Sequence, residues 1–321
     1  MSGPGAAERM RIVYFGAGAF GLPTLERLTS EHDVVGVVTQ PDRPAGRKRR
    51  LTPTPIGEWA SSHLADTPLF KPENVNDADI RDAVRGIDCD AWVVIAFGQK
   101  LGEPLLEDRF AINLHASLLP RWRGAAPINH AIMAGDRVTG NSVITLADRM
   151  DAGLVMGQSE RTIDPSLTAG ELHDLLAADG PDLMLRVLAE KQSDALRPET
   201  QDESLVTIAG KLSRADGWVD FGASAEQCRR RIHGLTPWPG VTIRIGDDQL
   251  KVARVEALES GSEEVAGVLI DAASGVIACG EGTSLRLIEV QPAGKRIMAW
   301  ADYVRGNPIE VGAVVNGGAP C

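Results

Sequence analysis

Asn113-Leu114-His115 is the stretch of this chain with the most chemistry in it. In an extended strand alternate side chains share a face, so an amide and an imidazole two residues apart project into one pocket. The amide can donate to an oxygen that is gaining negative charge. The imidazole, with an ordinary pKa of about 6.5, can give or take a proton near neutrality. Acyl-type transfer uses both. Asp151 is the acid expected to complete the set by orienting His115 and stabilising its cationic form, and Asp148 competes with it. Val143, Ile144 and Thr145 read as a strand and Asp151-Ala152-Gly153 as the tight turn that ends it, a pattern that leaves open which aspartate faces inward.

A sheet has to position these groups. Asp90 to Phe97 is a nearly unbroken apolar run, as central parallel strands are when both faces are covered. Phe110 to His115 is the next strand, so the Asn-x-His pair lies toward its carboxyl end, where open α/β sheets hold their ligands. Met10 to Phe15 is another apolar strand, and Gly16-Ala17-Gly18-Ala19-Phe20-Gly21 leads from it into a helical stretch, Pro23 to Thr29, before a strand at Asp33 to Thr39. The glycines match the G-x-G-x-x-G of dinucleotide sites, yet Gln40-Pro41-Asp42 follows instead of an acid placed for a ribose hydroxyl. They are read as a tight turn in a Rossmann-like sheet, and no NAD is expected.

A helix at Pro127 to Ala134, a strand at Asn141 to Leu146 and a long helix at Glu171 to Gln192 complete a mostly parallel α/β domain. Arg197 to Gly217 is polar and punctuated by Pro198 and Gly210, which suits a linker. Ala223 to His233 reads as a short helix carrying Arg229, Arg230 and Arg231. From Val241 onward short strands alternate with turn signals at Gly246-Asp247-Asp248, Ser260-Gly261-Ser262, Ser274-Gly275 and Gly280-Glu281-Gly282, the pattern of a small antiparallel barrel. The expected division is a disordered leader at 1–9, a catalytic domain at 10–196, a linker at 197–217 and an OB-like barrel domain at 218–321.

Asn113 to Pro127, with the run Ala116-Ser117-Leu118-Leu119-Pro120-Arg121-Trp122-Arg123-Gly124 inside it, resembles the signature segment of the methionyl-tRNA formyltransferases. Thr39-Gln40-Pro41-Asp42-Arg43-Pro44-Ala45-Gly46-Arg47, Lys211-Leu212-Ser213, Pro237-Trp238-Pro239 and Gln291-Pro292-Ala293-Gly294-Lys295 extend the likeness over the whole chain in the family's order. Ala17-Gly18 departs from the family's usual text at that point. The resemblance implies catalytic roles for Asn113, His115 and Asp151, and contacts to 10-formyltetrahydrofolate, the formyl donor, from Ser117, Leu118, Leu119 and Pro120. It also implies attack by the α-amine of methionine on initiator tRNA at the formyl carbon. Asn113 and protonated His115 would hold the resulting oxyanion, a term of roughly 3 to 4 kcal/mol per donor. The basic loop, with Arg43, Arg47, Lys48, Arg49 and Arg50, would enter the acceptor end of that tRNA.

Composition permits this. The 321 residues, 43% of them hydrophobic, suffice for two cores. A net charge of −11 argues against a surface that grips nucleic acid everywhere, but not against local contact through the 41–50 loop. That loop, rich in proline and charge, is expected to be mobile when free. Arg229 to Arg231, Lys251, Arg254, Lys295 and Arg296 could line the barrel side of the same path. Cys89, Cys228, Cys279 and Cys321 show no C-x-x-C spacing, which suits free thiols in a reducing cytoplasm, and no metal site is expected. No apolar run approaches the ~20 residues of a membrane span, so no membrane is expected; no obligate protein partner is expected either. Competing readings are formyl transfer to a small nucleotide or amino-sugar amine, formyl hydrolysis, a catalytically dead tRNA-binding protein, and a nicotinamide-dependent oxidoreductase resting on the glycine run.

Overall fold

Parallel pairing of apolar strands builds the sheet that carries the Asn-x-His pair. The computed structural model describes residues 8–46, 49–258 and 263–318. Seven strands make this sheet: β1 (Arg11–Gly16), β2 (Asp33–Val38), β3 (Leu69–Phe70), β4 (Ala91–Ile95), β5 (Ala111–His115), β6 (Val138–Thr145) and β7 (Val155–Thr162). Their order is β7-β6-β5-β4-β1-β2-β3, parallel from β5 through β3 and antiparallel where β6 joins β5. Four helices matter to the site and the barrel: α1 (Leu22–Glu31), α2 (Pro127–Ala134), α3 (Ala169–Gln192) and α4 (Ala225–Gly234). Every residue of β4 is buried, and Trp92 within it packs on Phe15 at 4.9 Å between ring centroids.

The glycine run after β1 has a packing explanation. A Cβ at Gly16 would lie 2.6 Å from the Tyr14 ring and one at Gly21 would lie 2.1 Å from its hydroxyl. That buried hydroxyl donates to Gly21 O at 2.9 Å. Two of the three glycines therefore make room for Tyr14.

Contacts divide the chain into two compact units that interleave along the sequence. One comprises residues up to 123, 140–161 and 173–208; the other comprises 124–139, 162–172 and the chain from 209 on. The 197–217 stretch is split between them at 208 and is structured on both sides of the split: Glu199 bridges Val155, Gln201 is buried, and so are Ala209 and Leu212. Helix α2, placed by its sequence position in the catalytic domain, belongs to the second unit. There Ala126 and Met133 join the apolar core, and Asn129 Nδ2 donates to Gly234 O at 2.7 Å.

The second unit is built on β8 (Val241–Ile245), β9 (Asp248–Leu258), β10 (Leu269–Asp271), β11 (Val276–Ala278), β12 (Ser284–Pro292) and β13 (Val315–Asn316), in the order β10-β11-β12-β9-β8-β13. β8 alternates buried and exposed residues along its whole length, as a strand does when one face lines a core. Register shifts flank Arg254 in β9, where a bulge bends the strand. Leu269 N donates to Ala313 O at 2.9 Å and Val315 N to Gly267 O at 2.7 Å, so the last strand returns to β10 and nearly closes the barrel. The capping box of Ser224 and Gln227 starts α4, whose Cys228 and Ile232 enter the barrel core. Cys89, Cys228 and Cys279 are free thiols; Cys321 and residues 1–7 of the expected 1–9 leader lie outside the described residues, and Arg9 at its end pairs with Asp33 at 2.7 Å. Among the described residues no helix is long and apolar enough to cross a membrane, and no group of three or more His, Cys, Asp or Glu is arranged to hold a metal.

Candidate active site

β5 holds Asn113 and His115 on one face because strand side chains alternate. The other face carries Ile112 and Leu114, both buried. Leu114 is covered by α3 at Gly180, where a Cβ would come within 2.7 Å of its side chain. Neighbouring strands set the register: Val94 of β4 lies beside Asn113, while Ile144 and Ser142 of β6 pair with Asn113 and His115. Asn113 is half-buried, and its side-chain amide makes no hydrogen bond among the described residues.

The His115 ring sits between two acceptors. Its Nε2 is 2.9 Å from Trp122 O, and its Nδ1 is 3.7 Å from Asp151 Oδ2. The second separation is longer than a hydrogen bond and within reach of an ion pair when the ring is protonated. The His115 and Asp151 side chains are 7% and 14% exposed, so their attraction is only partly screened. Asp148, by contrast, is 93% exposed and lies 3.9 Å from Lys100 Nζ. Of the two aspartates, Asp151 is therefore the one beside the His115 ring.

Local backbone chemistry explains how Asp151 gets there. It has φ 54, the left-handed region that Asp tolerates better than most residues. Two residues on, a Cβ at Gly153 would meet Thr145 O at 1.7 Å, so only glycine lets the turn close against the end of β6. Thr145 N donates to Leu154 O at 2.9 Å and Leu154 N to Thr145 Oγ1 at 2.8 Å. Glu203 accepts from Arg149 at 2.9 and 3.0 Å and from Arg123 at 3.0 Å. Those guanidiniums, Arg149 first, hold its carboxyl below the usual range.

Residues 117–120 form a connection threaded by Ser142 Oγ, which donates to Ser117 O at 2.6 Å and accepts from Leu119 N at 3.0 Å. Gln158 Nε2 donates to Leu119 O at 3.0 Å. Ser117 is buried and donates its hydroxyl to Arg121 O at 2.7 Å, and Leu119 is buried as well. Leu118 and Pro120 are half-exposed and keep side-chain surface for a ligand. The Trp122 ring is half-buried beneath the Arg121 guanidinium, 4.5 Å from its centroid.

Two short strands lie in the basic loop. Arg43–Ala45 and Arg50–Thr52 pair as an antiparallel hairpin, with Arg49 at φ 46 in the connection. Arg49 and Arg50 are exposed, whereas Arg43 is paired with Glu73 at 2.5 Å. Arg47 and Lys48 lie outside the described residues.

Most of the barrel-side basic residues turn out to be occupied. Arg229 and Arg230 pair with Glu226, and Arg254 pairs with Glu171. Arg231 stacks on Trp218 at 3.5 Å from the ring centroid, and Lys251 donates to Pro237 O at 2.7 Å. Lys295 and Arg296 are exposed. Sequence reasoning missed Ser142, Gln158, Gln201, Arg123 and Thr207 as supports of the site. Their partners lie far away along the chain, and no local pattern marks them.

Comparisons with known proteins bear on this arrangement. A family model described as "Formyl transferase" matches residues 10–188, and one described as "Formyl transferase, C-terminal domain" matches 211–308. The methionyl-tRNA formyltransferase of Halorhodospira halophila is 40% identical over 311 residues, covering 95% of this chain and 99% of that protein. That of Methylococcus capsulatus is 38% identical over 304 residues, covering 94% and 98%. Among solved structures, WlaRD, a sugar 3N-formyl transferase crystallised with dTDP and 5-N-formyl-THF, superposes with a TM-score of 0.66 over 90% of this chain and all of its own, at 13% identity. At that identity the likeness speaks for the fold.

Proposed function

Because this chain belongs to the methionyl-tRNA formyltransferase family, we propose that Asn113, His115 and Asp151 carry out its reaction, formyl transfer from 10-formyltetrahydrofolate to the α-amine of methionyl initiator tRNA. The observation that supports these roles is the placement of Asp151 Oδ2 3.7 Å from the Nδ1 of His115, which shares its strand with Asn113. The donor fits the residues present: a half-buried amide without a partner among the described residues, and the half-exposed Leu118 and Pro120 beyond it.

Attack of the neutral amine forms the new C–N bond and moves the carbonyl electron pair onto oxygen. The Asn113 amide donates to that oxygen, which gains charge only as the bond forms, and a protonated His115 shares its Nε2–H between Trp122 O and that oxygen. The interaction therefore lowers the barrier instead of merely tightening substrate binding. Asp151 keeps the ring oriented and favours its cationic form. As the adduct collapses the bond to the folate nitrogen breaks, and the proton shed by the attacking ammonium is delivered to that nitrogen with His115 as carrier.

Ser117, Leu118, Leu119 and Pro120 would flank the donor, Leu118 and Pro120 with side-chain surface and Ser117 and Leu119 by holding the connection in place. The basic stretch with Arg43, Arg47, Lys48, Arg49 and Arg50 would meet the tRNA acceptor end, and the enzyme would work in the cytoplasm, where charged initiator tRNA is used. Incubation with radiolabelled 10-formyltetrahydrofolate and methionyl-tRNA tests this, with glycinamide ribonucleotide, a sugar nucleotide amine and water as competing acceptors. Label on the tRNA is the expected result. Label on a small amine alone, or released as formate, overturns the reading.

A further inference from the structure

Both acceptors that flank the His115 ring are held by one segment far away in sequence, residues 199–207. The Gln201 side-chain nitrogen donates to Asp151 O and to Gly153 O, each at 2.8 Å. Its side-chain oxygen accepts from Arg123 Nε at 2.9 Å. These partners fix which way the amide points, since a flipped group would aim oxygen at two carbonyls and nitrogen at a guanidinium. Gln201 and Arg123 are only 7% and 4% exposed. On the other side of the ring, Trp122 N donates to Thr207 Oγ1 and Arg123 N to Thr207 O, both at 2.9 Å. This anchors the peptide whose carbonyl faces His115 Nε2. Glu199 and Val155 exchange both backbone bonds at 2.8 and 2.9 Å, which ties the segment to β7.

We propose that Gln201 is a positioning residue for formyl transfer. It pins the Asp151 turn so that the carboxylate meets His115 Nδ1, while Thr207 does the same for Trp122 O at Nε2. The inference rests on the reading of Asp151 as the partner of His115 in that reaction. Asp151 is held at φ 54 and the glycine two residues on closes the turn against Thr145 O, so the direction of the carboxylate follows the backbone whose carbonyls Gln201 grips. Removing Gln201 strips the donor from two carbonyls at once and lets the turn relax. A shift of 1 Å in a catalytic group can cost roughly 100-fold in rate.

Two substitutions test this. Gln201→Glu keeps the side chain's shape and its Arg123 contact but presents oxygen to both carbonyls; Gln201→Met removes hydrogen bonding without adding charge. Each should lower kcat for methionyl-tRNA formylation roughly 10- to 100-fold, with KM for both substrates within about 2-fold of wild type. In an Asp151→Asn background the same substitutions should cost no more than about 2-fold further, because a residue acting through Asp151 has nothing left to position. Losses that multiply instead overturn the proposal.

A second measurement needs no turnover. The ring 15N resonances of His115 in the ligand-free protein should move at Nδ1 in Gln201→Glu in the same direction as in Asp151→Asn. An unmoved Nδ1 resonance in the folded Glu variant overturns the positioning role whether or not the enzyme formylates tRNA. If Gln201→Met does not fold, the Glu variant decides.

Discussion

Asp151→Asn should lower kcat for tRNA formylation by about 10- to 1000-fold and leave KM for both substrates within about 2-fold. The magnitude comes from the ion-pair geometry. Asp151 Oδ2 and His115 Nδ1 are 3.7 Å apart, and their side chains are 14% and 7% exposed. At an effective dielectric near 20, opposite unit charges at that distance attract by about 4 kcal/mol, and in bulk water by about 1 kcal/mol. If the ring must be cationic as the oxyanion forms, that attraction appears in the barrier, at a factor of ten per ~1.4 kcal/mol. Asparagine keeps the volume of the side chain, so the change removes charge without opening a cavity. Initial rates with saturating radiolabelled 10-formyltetrahydrofolate and methionyl-tRNA measure the effect, with Asp148→Asn as control. Asp148 is 93% exposed and its substitution should change kcat by less than about 2-fold. An Asp151→Asn enzyme within about 3-fold of wild-type kcat would refute the electrostatic role, and a loss confined to KM would make Asp151 a binding residue.

Gly153→Ala places a Cβ 1.7 Å from Thr145 O, and backbone cannot yield there as a flexible side chain would. Thermal unfolding should show a loss of about 1 to 3 kcal/mol, accompanied by a fall in kcat as the Asp151 turn is displaced. Replacing the five basic residues at 43–50 with serine should flatten the slope of log affinity for tRNA against log salt by about 3 to 5. Arg43→Ser alone should contribute least to that change, since Glu73 already neutralises its guanidinium at 2.5 Å. Equal slopes for the fivefold variant and wild type would remove the hairpin from the RNA interface. His233 should make the protein less stable in mild acid. Burial, then the charges of Arg229 and Arg254, lower its pKa to about 4, against about 6.5 in the unfolded chain. Between those values the unfolded chain binds a proton that the folded chain does not. Stability is therefore fully present above pH ~6.5 and falls by up to about 3 kcal/mol as pH drops toward 4. Urea unfolding across that range should show a slope that His233→Gln reduces.

Much of this organisation can be read locally. Alternation alone puts Asn113 and His115 on one face of a strand, and the structure has that strand at Ala111–His115. The proline at the start of α2 and the glycine after it bound the helix at Pro127–Ala134, as read from the sequence. The apolar stripe of α3 was legible from Leu172 to Leu188, and the turn signals at Gly246-Asp247, Ser274-Gly275 and Gly280-Glu281-Gly282 fall between barrel strands, while Ser260-Gly261-Ser262 lies outside the described residues. Where local reading fell short, a distant partner had intervened. Arg229, Arg230 and Arg254 look like free positive charge until Glu226 and Glu171 are brought to them. The basic loop shows no strand pattern as text, yet Arg43–Ala45 pairs with Arg50–Thr52. The 197–217 stretch has linker composition, yet Gln201, Ala209 and Leu212 are buried within it.

Residue identity and short-range periodicity thus carried the strands, the helices, the amide–imidazole pair and the family resemblance, because φ/ψ preference and side-chain alternation act over a few residues. Folding in three dimensions selected Asp151 over Asp148, set Trp122 O against the other side of the ring, and brought Gln201 to a turn 50 residues away in the chain. Two aspartates three residues apart in a turn are chemically equivalent as text. A carboxylate becomes a partner for His115 only when backbone closure at Gly153 and hydrogen bonds from a remote segment aim it there.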